Sequence, residues 1–448
     1  MELKKFTHLT FIVLLVFFCS AGTNANAQSP GDTVAAYSLK QCIDYALAHE
    51  PVLRQALIRQ DIAKADNKIS LSGWYPQVDI TANLNHYLER PTAITNINGV
   101  ETPVKTSVVN SSTPGASVTQ TIFNPSLVAA ARKAPLYNQQ AQQVTDSTKI
   151  NVVVNVSKSY YALLLTLQQI DVLKEDTSRL GESMRTAQHQ YIGGIVDETD
   201  YEQATISLNT SLVQLKQSQE NVYPLYQTLK FYMGFPPQDQ FNVSYDTAQM
   251  VKDVLIDSTR QLQYENRIEF KLLQVQKELQ RQNTLYYRNA FWPDVSAFYN
   301  YNNAFQNNVL SELYKTAYPN SLVGLNLSLP LFTGFARTQQ VRKSKLQEEV
   351  LSWSEVDLKS SISAEYASAL AAYKGNIYNM QKMQDNTALA KRVYFVVDLQ
   401  YKQGIVPYLN VITAETNLRT AQLTYLNALF QVLSSKIDWQ KAMGEVSY

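Results

Sequence analysis

Cysteine is nearly absent: the 448 residues hold only Cys19 and Cys42. Cys19 falls in an N-terminal segment expected to be removed, so one thiol remains and no internal disulfide is available. Histidine is scarce too. Beyond that segment stand His49, His86 and His189, far apart and without metal-ligand spacing, so no metal or cofactor is expected. Charge is thin, at 17% of residues with a net charge of +1, which excludes the basic footprint of a nucleic-acid binder. No apolar run after residue 27 reaches the ~18 residues of a spanning helix. A nucleophile elbow, a phosphate-cradling glycine loop and a dinucleotide fingerprint are also missing, so nothing in the chain points to enzyme chemistry.

What is present begins with a secretory signal. Lys4 and Lys5 precede an apolar stretch from Phe11 to Phe18, and Ala25-Asn26-Ala27 forms a small-x-small cleavage site, giving a signal peptide over 1–27. Phe18 stands where a lipobox requires a small residue, so no lipid anchor is expected at Cys19. An exported chain without disulfides suits the bacterial envelope.

The mature sequence is organised around a stretch that occurs twice. Tyr191-Ile192-Gly193-Gly194-Ile195-Val196 is matched 210 residues on by Tyr401-Lys402-Gln403-Gly404-Ile405-Val406. The offset then holds from Ala204 and Ala414 through to Met233-Gly234 and Met443-Gly444, with 10 identities in 44 ungapped positions. Solenoid repeats have periods of only ~20–50 residues, so this is a duplication of one large unit.

Each unit reads helix, strand, polar loop, strand, very long helix, glycine tip, return helix. The first repeat spans 28–234, with a helix at 39–72, strands at 77–88 and 115–123, a long helix at 125–191 and a return helix at 198–233. An 18-residue linker at 235–252 carries Pro236-Pro237. The second repeat spans 253–448, with a helix at 253–289, strands at 294–302 and 321–332, a long helix at 335–402 and a return helix at 407–443. The strands rest on period-two alternation, as in Val78, Ile80 and Ala82 against Asp79, Thr81 and Asn83. The helices rest on spacings of three and four, as in Val153, Val156, Tyr160, Leu163 and Leu167. Asn124-Pro125 supplies an N-cap and a first-turn proline, Pro135 is expected to kink the helix, and Thr199-x-x-Glu202 resembles a capping box.

Strands of about ten residues, apolar on one face and polar on the other, have the pattern of an outer-membrane barrel. Trp74, Tyr75, Phe291 and Trp292 stand where strands meet helices, as interfacial aromatics do. In lipid no strand edge can stay unpaired, and four strands cannot close, so the chain must oligomerise. Two chains would give eight strands and a filled interior, and three would give twelve and a lumen. A porin has short periplasmic turns, unlike these long helices, and a coiled-coil envelope stalk leaves the internal strands unexplained.

With the duplication, Tyr75-Pro76 and Trp292-Pro293 opening strands, Pro330-Leu331-Phe332-Thr333-Gly334 after the fourth, and the Tyr-x-x-Gly tips, the chain resembles the TolC family of outer-membrane efflux proteins over nearly its whole mature length. The resemblance implies a mainly α chain with a transmembrane β part. Its homotrimer would form a 12-stranded outer-membrane β-barrel, four strands per chain, continued by a periplasmic α-helical barrel, with the linker at 235–252 and the chain ends at the equator of that barrel. It also implies an exit duct that meets a periplasmic adaptor and an inner-membrane pump of RND or ABC type, with outer-membrane lipid around the strands. The adaptor contacts would fall at the helix-tip turns, on Gly193, Gly194, Gly404 and Val406. The family's closed aperture maps onto Thr199 and Asp200, with Tyr401 as the acid's partner. Its completing arginine falls on Val406 and its ring of aspartates on Asn410 and Thr413, so a neutral polar aperture is expected here.

Overall fold

In the computed structural model, residues 36–97, 99–244, 250, 254 and 260–448 are described; the signal peptide and part of the expected linker lie outside them. The chain is mainly helical. Ser38 opens α1 (Leu39–His49) with a reciprocal capping box to Gln41. The expected single helix over 39–72 then divides, because Pro51 has no N–H to continue the α1 ladder. Glu50 becomes the N-cap of α2 (Pro51–Leu71), its carboxylate accepting from the Leu53 N–H at 2.9 Å. A 3₁₀ turn over Ser72–Trp74 leads into the strands.

The first expected strand is likewise two pieces, β2 (Gln77–Thr81) and β3 (Leu84–His86). A hairpin of β4 (Thr92–Ile97) and β5 (Val100–Lys105) fills part of what reads in sequence as a polar loop. The chain returns through β6 (Asn110–Ser112) and β7 (Gly115–Phe123). One register covers both pieces, with Gln77 opposite Thr119 and Leu84 opposite Ser112. The gap falls at Pro114, which has no N–H for a ladder bond. Around it the Asn83 carbonyl accepts from Thr113 N–H and Ser112 Oγ instead.

Asn124 caps α3 (Pro125–Ile192), accepting from Ser126 and Leu127 N–H groups. Its 68 residues span roughly 100 Å at ~1.5 Å per residue, and Pro135 lies inside it without ending it. After the tip, α4 (Glu198–Met233) returns. Its N-cap is Asp197, which makes no side-chain capping bond, so Thr199 sits in the first turn and the expected Thr199–Glu202 box does not form. A two-residue strand β8 (Asn242–Val243) pairs in parallel with β1 (Ala36–Tyr37).

In the second half, 253 and 255–259 of the expected 253–289 helix lie outside the described residues, and a 3₁₀ turn over Tyr264–Asn266 precedes α5 (Ile268–Asn289). β9 (Asp294–Asn307) and β10 (Ala317–Ser328) run past the expected 302 boundary and stop before 332. Proline at 330 cannot extend the ladder. Then α6 (Ala336–Lys402) and α7 (Tyr408–Met443) complete the chain.

The strands form one antiparallel sheet of four ribbons, in the order β2/β3, β7/β6, β9, β10. A 3₁₀ turn over Leu310–Lys315 packs Leu313 and Tyr314 against the β6/β9 end, and the outer edges of β2/β3 and β10 have no partner among the described residues. The core lies elsewhere, where Cys42 of α1, Leu163 and Leu164 of α3, Leu229 of α4, and Val432 and Leu433 of α7 pack together. There Tyr37 and Phe241 meet edge to face. The most apolar window of α3 is 56% buried within the chain, part of it in this core.

Candidate functional site

Both glycine tips end their long helices in the same way. Gly194 and Gly404 take φ of 67° and 73°, a left-handed conformation that glycine adopts without a Cβ clash. At the first tip Ile195 N–H bonds the Gln190 carbonyl at 2.8 Å and Gly194 N–H bonds Tyr191 at 2.9 Å. At the second, Ile405 bonds Gln400 and Gly404 bonds Tyr401, each at 2.9 Å. This pair of bonds is a Schellman motif, which satisfies the last carbonyls of each helix. Gly193 sits just before the first turn as the helix C-cap, and Val406, after the second, is partly buried. Ile192, Ile195, Ile405 and Leu409 are exposed around the two turns.

Behind the turns lies a small core of Ala187, Ala204, Tyr401, Tyr408 and Val411. The repeated alanine is part of it: Ala204 is fully buried, leaving room for no larger side chain. The Tyr401 hydroxyl donates to Gln190 Oε1 at 2.5 Å. Asp200 takes no bond from Tyr401 within the chain, although its charge, second to burial, raises the Tyr401 pKa. Thr199, Asn410 and Thr413 are exposed, and Thr413 Oγ1 bonds back to the Leu409 carbonyl at 2.8 Å. The tip therefore carries no intrachain ion pair among these five positions.

Farther up, polar rungs join α3 to the second hairpin. Ser183 Oγ and the Tyr408 hydroxyl are 2.9 Å apart, and burial pushes that phenol up to about 12. Arg179 reaches Glu415 at 3.2 Å, and Arg419 reaches Asp176 at 3.2 Å. Gln169 Nε2 donates to Asn427, and Lys158 pairs with Asp438 at 2.6 Å. Because α3 and α7 run antiparallel, the partner number falls as the α3 number rises. Asp176 and Glu415 are buried, and only the buried seam reveals their role.

At the other end, the four expected interfacial aromatics gather where helices meet strands. Tyr75, Phe291 and Trp292 are exposed, while Trp74 is half-buried. Trp292 lies 6.0 Å from the Phe123 ring, and the Arg337 guanidinium covers Phe291 at 5.6 Å. Phe332 and Phe335 add to this belt, both exposed and set edge to face. Among the described residues no group of three potential metal ligands converges.

The chain thus joins a four-ribbon sheet to helices about 100 Å long. The profile of the family described as outer membrane efflux protein matches residues 42–234 and 260–445. The chain belongs to that family. It is 21% identical over 419 residues to the probable efflux pump outer membrane protein TtgC of Pseudomonas putida, covering 91% of this chain and 83% of that one. The fold is similar to VceC of Vibrio cholerae, with a TM-score of 0.71 at 16% identity over 91% of this chain and 96% of VceC. It is also similar to the CmeC outer membrane channel of Campylobacter jejuni, with a TM-score of 0.71 at 20% identity over 91% and 85%. The family is one of outer membrane efflux proteins, and CmeC is an outer membrane channel.

Proposed function

We propose that this efflux protein is the exit duct of a tripartite efflux pump or a type I secretion system. Substrates would pass from an inner-membrane pump through a trans-periplasmic tunnel to the outside. The observation that carries this reading is the four-ribbon sheet with two unpaired edges and one apolar face. Unpaired backbone groups are costly in lipid, so other copies must supply partners. The first and fourth ribbons run in opposite directions, so a β10 edge meets a neighbour's β2 edge antiparallel. Three copies give the 12-stranded barrel, and their helical hairpins, arising from a duplicated unit, give the periplasmic barrel. The N-terminal signal is cleaved after Ala27, and the exposed apolar side chains at the tip turns meet the adaptor.

Chemical crosslinking of the detergent-extracted protein should give a ladder ending at three subunits. A monodisperse monomer would sink the architecture. A porin remains the second reading only if the purified protein conducts at full size without a pump.

The aperture yields its own expectation. Tyr401→Phe removes the hydroxyl that holds Gln190 and keeps the ring. One such hydrogen bond is worth ~1 kcal/mol per chain, so the open population should rise several-fold. Single-channel recording should show higher mean conductance for Tyr401→Phe, the same rise for Gln190→Leu, and no further rise in the double variant. Additive effects would mean that the two side chains act separately.

A further inference from the structure

The seam between α3 and α7 contains four ionisable groups with no place in a simple duct wall. Asp176 and Glu415 are 0% and 3% exposed, Arg179 and Arg419 18% and 12%. Arg179 bridges the acids, at 3.4 Å from Asp176 and 3.2 Å from Glu415. Ser211 of α4 donates to Asp176 Oδ2 at 2.6 Å, and the Tyr394 ring of α6 lies 5.6 Å from the Arg179 guanidinium. All four helices of the tip thus converge on one cluster of two acids and two arginines. At ~1.5 Å per residue it sits roughly 15–30 Å above the glycine turns.

Buried ion clusters seldom add stability over well-packed apolar side chains of the same volume, so fastening alone does not account for this one. Its charges differ in what they can do. The arginines stay protonated at every physiological pH. Tyr394 and Tyr408 stay neutral, both raised chiefly by burial. Glu175 of α3 and Asp398 of α6 face the rim, where water reaches them. Glu415 is different: burial, and then the charge of Asp176, push it up to about 7 against the pull of Arg179 and Arg419.

We propose that this cluster is a proton-operated clasp, in which Glu415 takes up a proton when α3 and α7 close and releases it to water when they part. The inference rests on reading the tip as a movable aperture. The closed seam holds its proton to higher pH than the separated one, so the bias toward closure is present below the pKa of the water-exposed acid. It is lost as pH rises through that of the closed form, about 7. Because one pKa unit is tenfold, acidification can favour closure by up to roughly a hundredfold per chain. Opening of the seam would also loosen the two rungs below it, Ser183–Tyr408 and Gln190–Tyr401.

Amide exchange on the detergent-extracted full-length protein, corrected for intrinsic rates, tests this between pH 5 and 8. Peptides covering 174–192 and 400–420 should lose protection at least tenfold as pH rises through 7, while equatorial peptides around 160 and 432 stay constant. In Glu415→Gln, which keeps shape but cannot ionise, tip protection should stay at its acid level throughout. Conductance in bilayers should follow the same pattern, rising with pH in the natural protein and not in the variant. Exchange decides the clasp even if no conductance is seen, an outcome that would instead count against the duct. Flat tip protection in the natural protein overturns the clasp, as does an unchanged pH response in Glu415→Gln. If that variant does not assemble, Ser211→Ala must shift the protection midpoint, and an unshifted midpoint overturns the proposal.

Discussion

Arginine in place of Leu325 should nearly abolish assembly, whereas arginine one residue later, at Asn326, should leave it intact. Leu325 lies on β10 opposite Ala297, 73% exposed, beside Val323 and Leu327 on the same face. Asn326 points to the other face, opposite Ser296. An arginine on the lipid side of a barrel costs ~2–4 kcal/mol per chain near the midplane, and a closed ring carries that burden in every copy. On the lumen side the guanidinium stays in water and alters ion flow instead. Folded oligomer in outer-membrane fractions, scored on heated and unheated gels, separates the two. Equal defects from both substitutions would show that the strand register is wrong.

Alanine at Gly234 or Gly444 should destabilise the protein far more than alanine at Gly194 or Gly404. All four have positive φ, so each substitution incurs left-handed strain of ~1–2 kcal/mol. At the tips a new Cβ meets nothing within 4 Å. At Gly234 it would lie 2.7 Å from the His49 carbonyl oxygen and 2.8 Å from Glu50 Cα. At Gly444 it would lie 2.8 Å from the Asn266 carbonyl carbon. Those atoms are backbone and cannot rotate away, so overpacking adds ~1–3 kcal/mol. Thermal unfolding followed by tryptophan fluorescence should show a drop two to three times larger at the equatorial pair, by a ratio that follows from these estimates. A similar drop at all four positions would mean that strain alone matters.

These glycines show how the sequence carries its architecture. Repetition revealed both the tips and the equatorial ends, because a helix stop has a fixed local chemistry. The long helices were readable for the same reason: spacings of three and four persist over many turns. Breaks were harder to read. Pro51 looks tolerable in an amphipathic pattern until Glu50 is seen capping a new helix. Pro114 interrupts the sheet because of what lies across from it, a fact of register. The hairpin at 92–105 was hidden in a stretch rich in turn residues, where strand alternation is short. The polar seam was least readable. Asp176 and Glu415 lie 239 positions apart, and no local pattern says that two helices bury them together. Gln190 escaped for a similar reason: the sequence shows a tyrosine and an acid near the tip, and an acid is the more obvious partner.

The two unlike edges of the sheet also have a genetic consequence. In the proposed ring, each chain would offer one edge to the neighbour on its left and another to the neighbour on its right, a head-to-tail arrangement. A chain damaged at the β10 edge alone keeps a sound β2 edge, so it still enters a ring and then leaves it unclosed. If equal amounts of sound and damaged chains mix at random into rings of three, only about one ring in eight escapes the damaged chain. Such an allele would therefore be dominant and would poison export in a cell that still makes the intact protein. A chain damaged at both edges would be excluded from rings and recessive, so crippling the protein further would restore the phenotype.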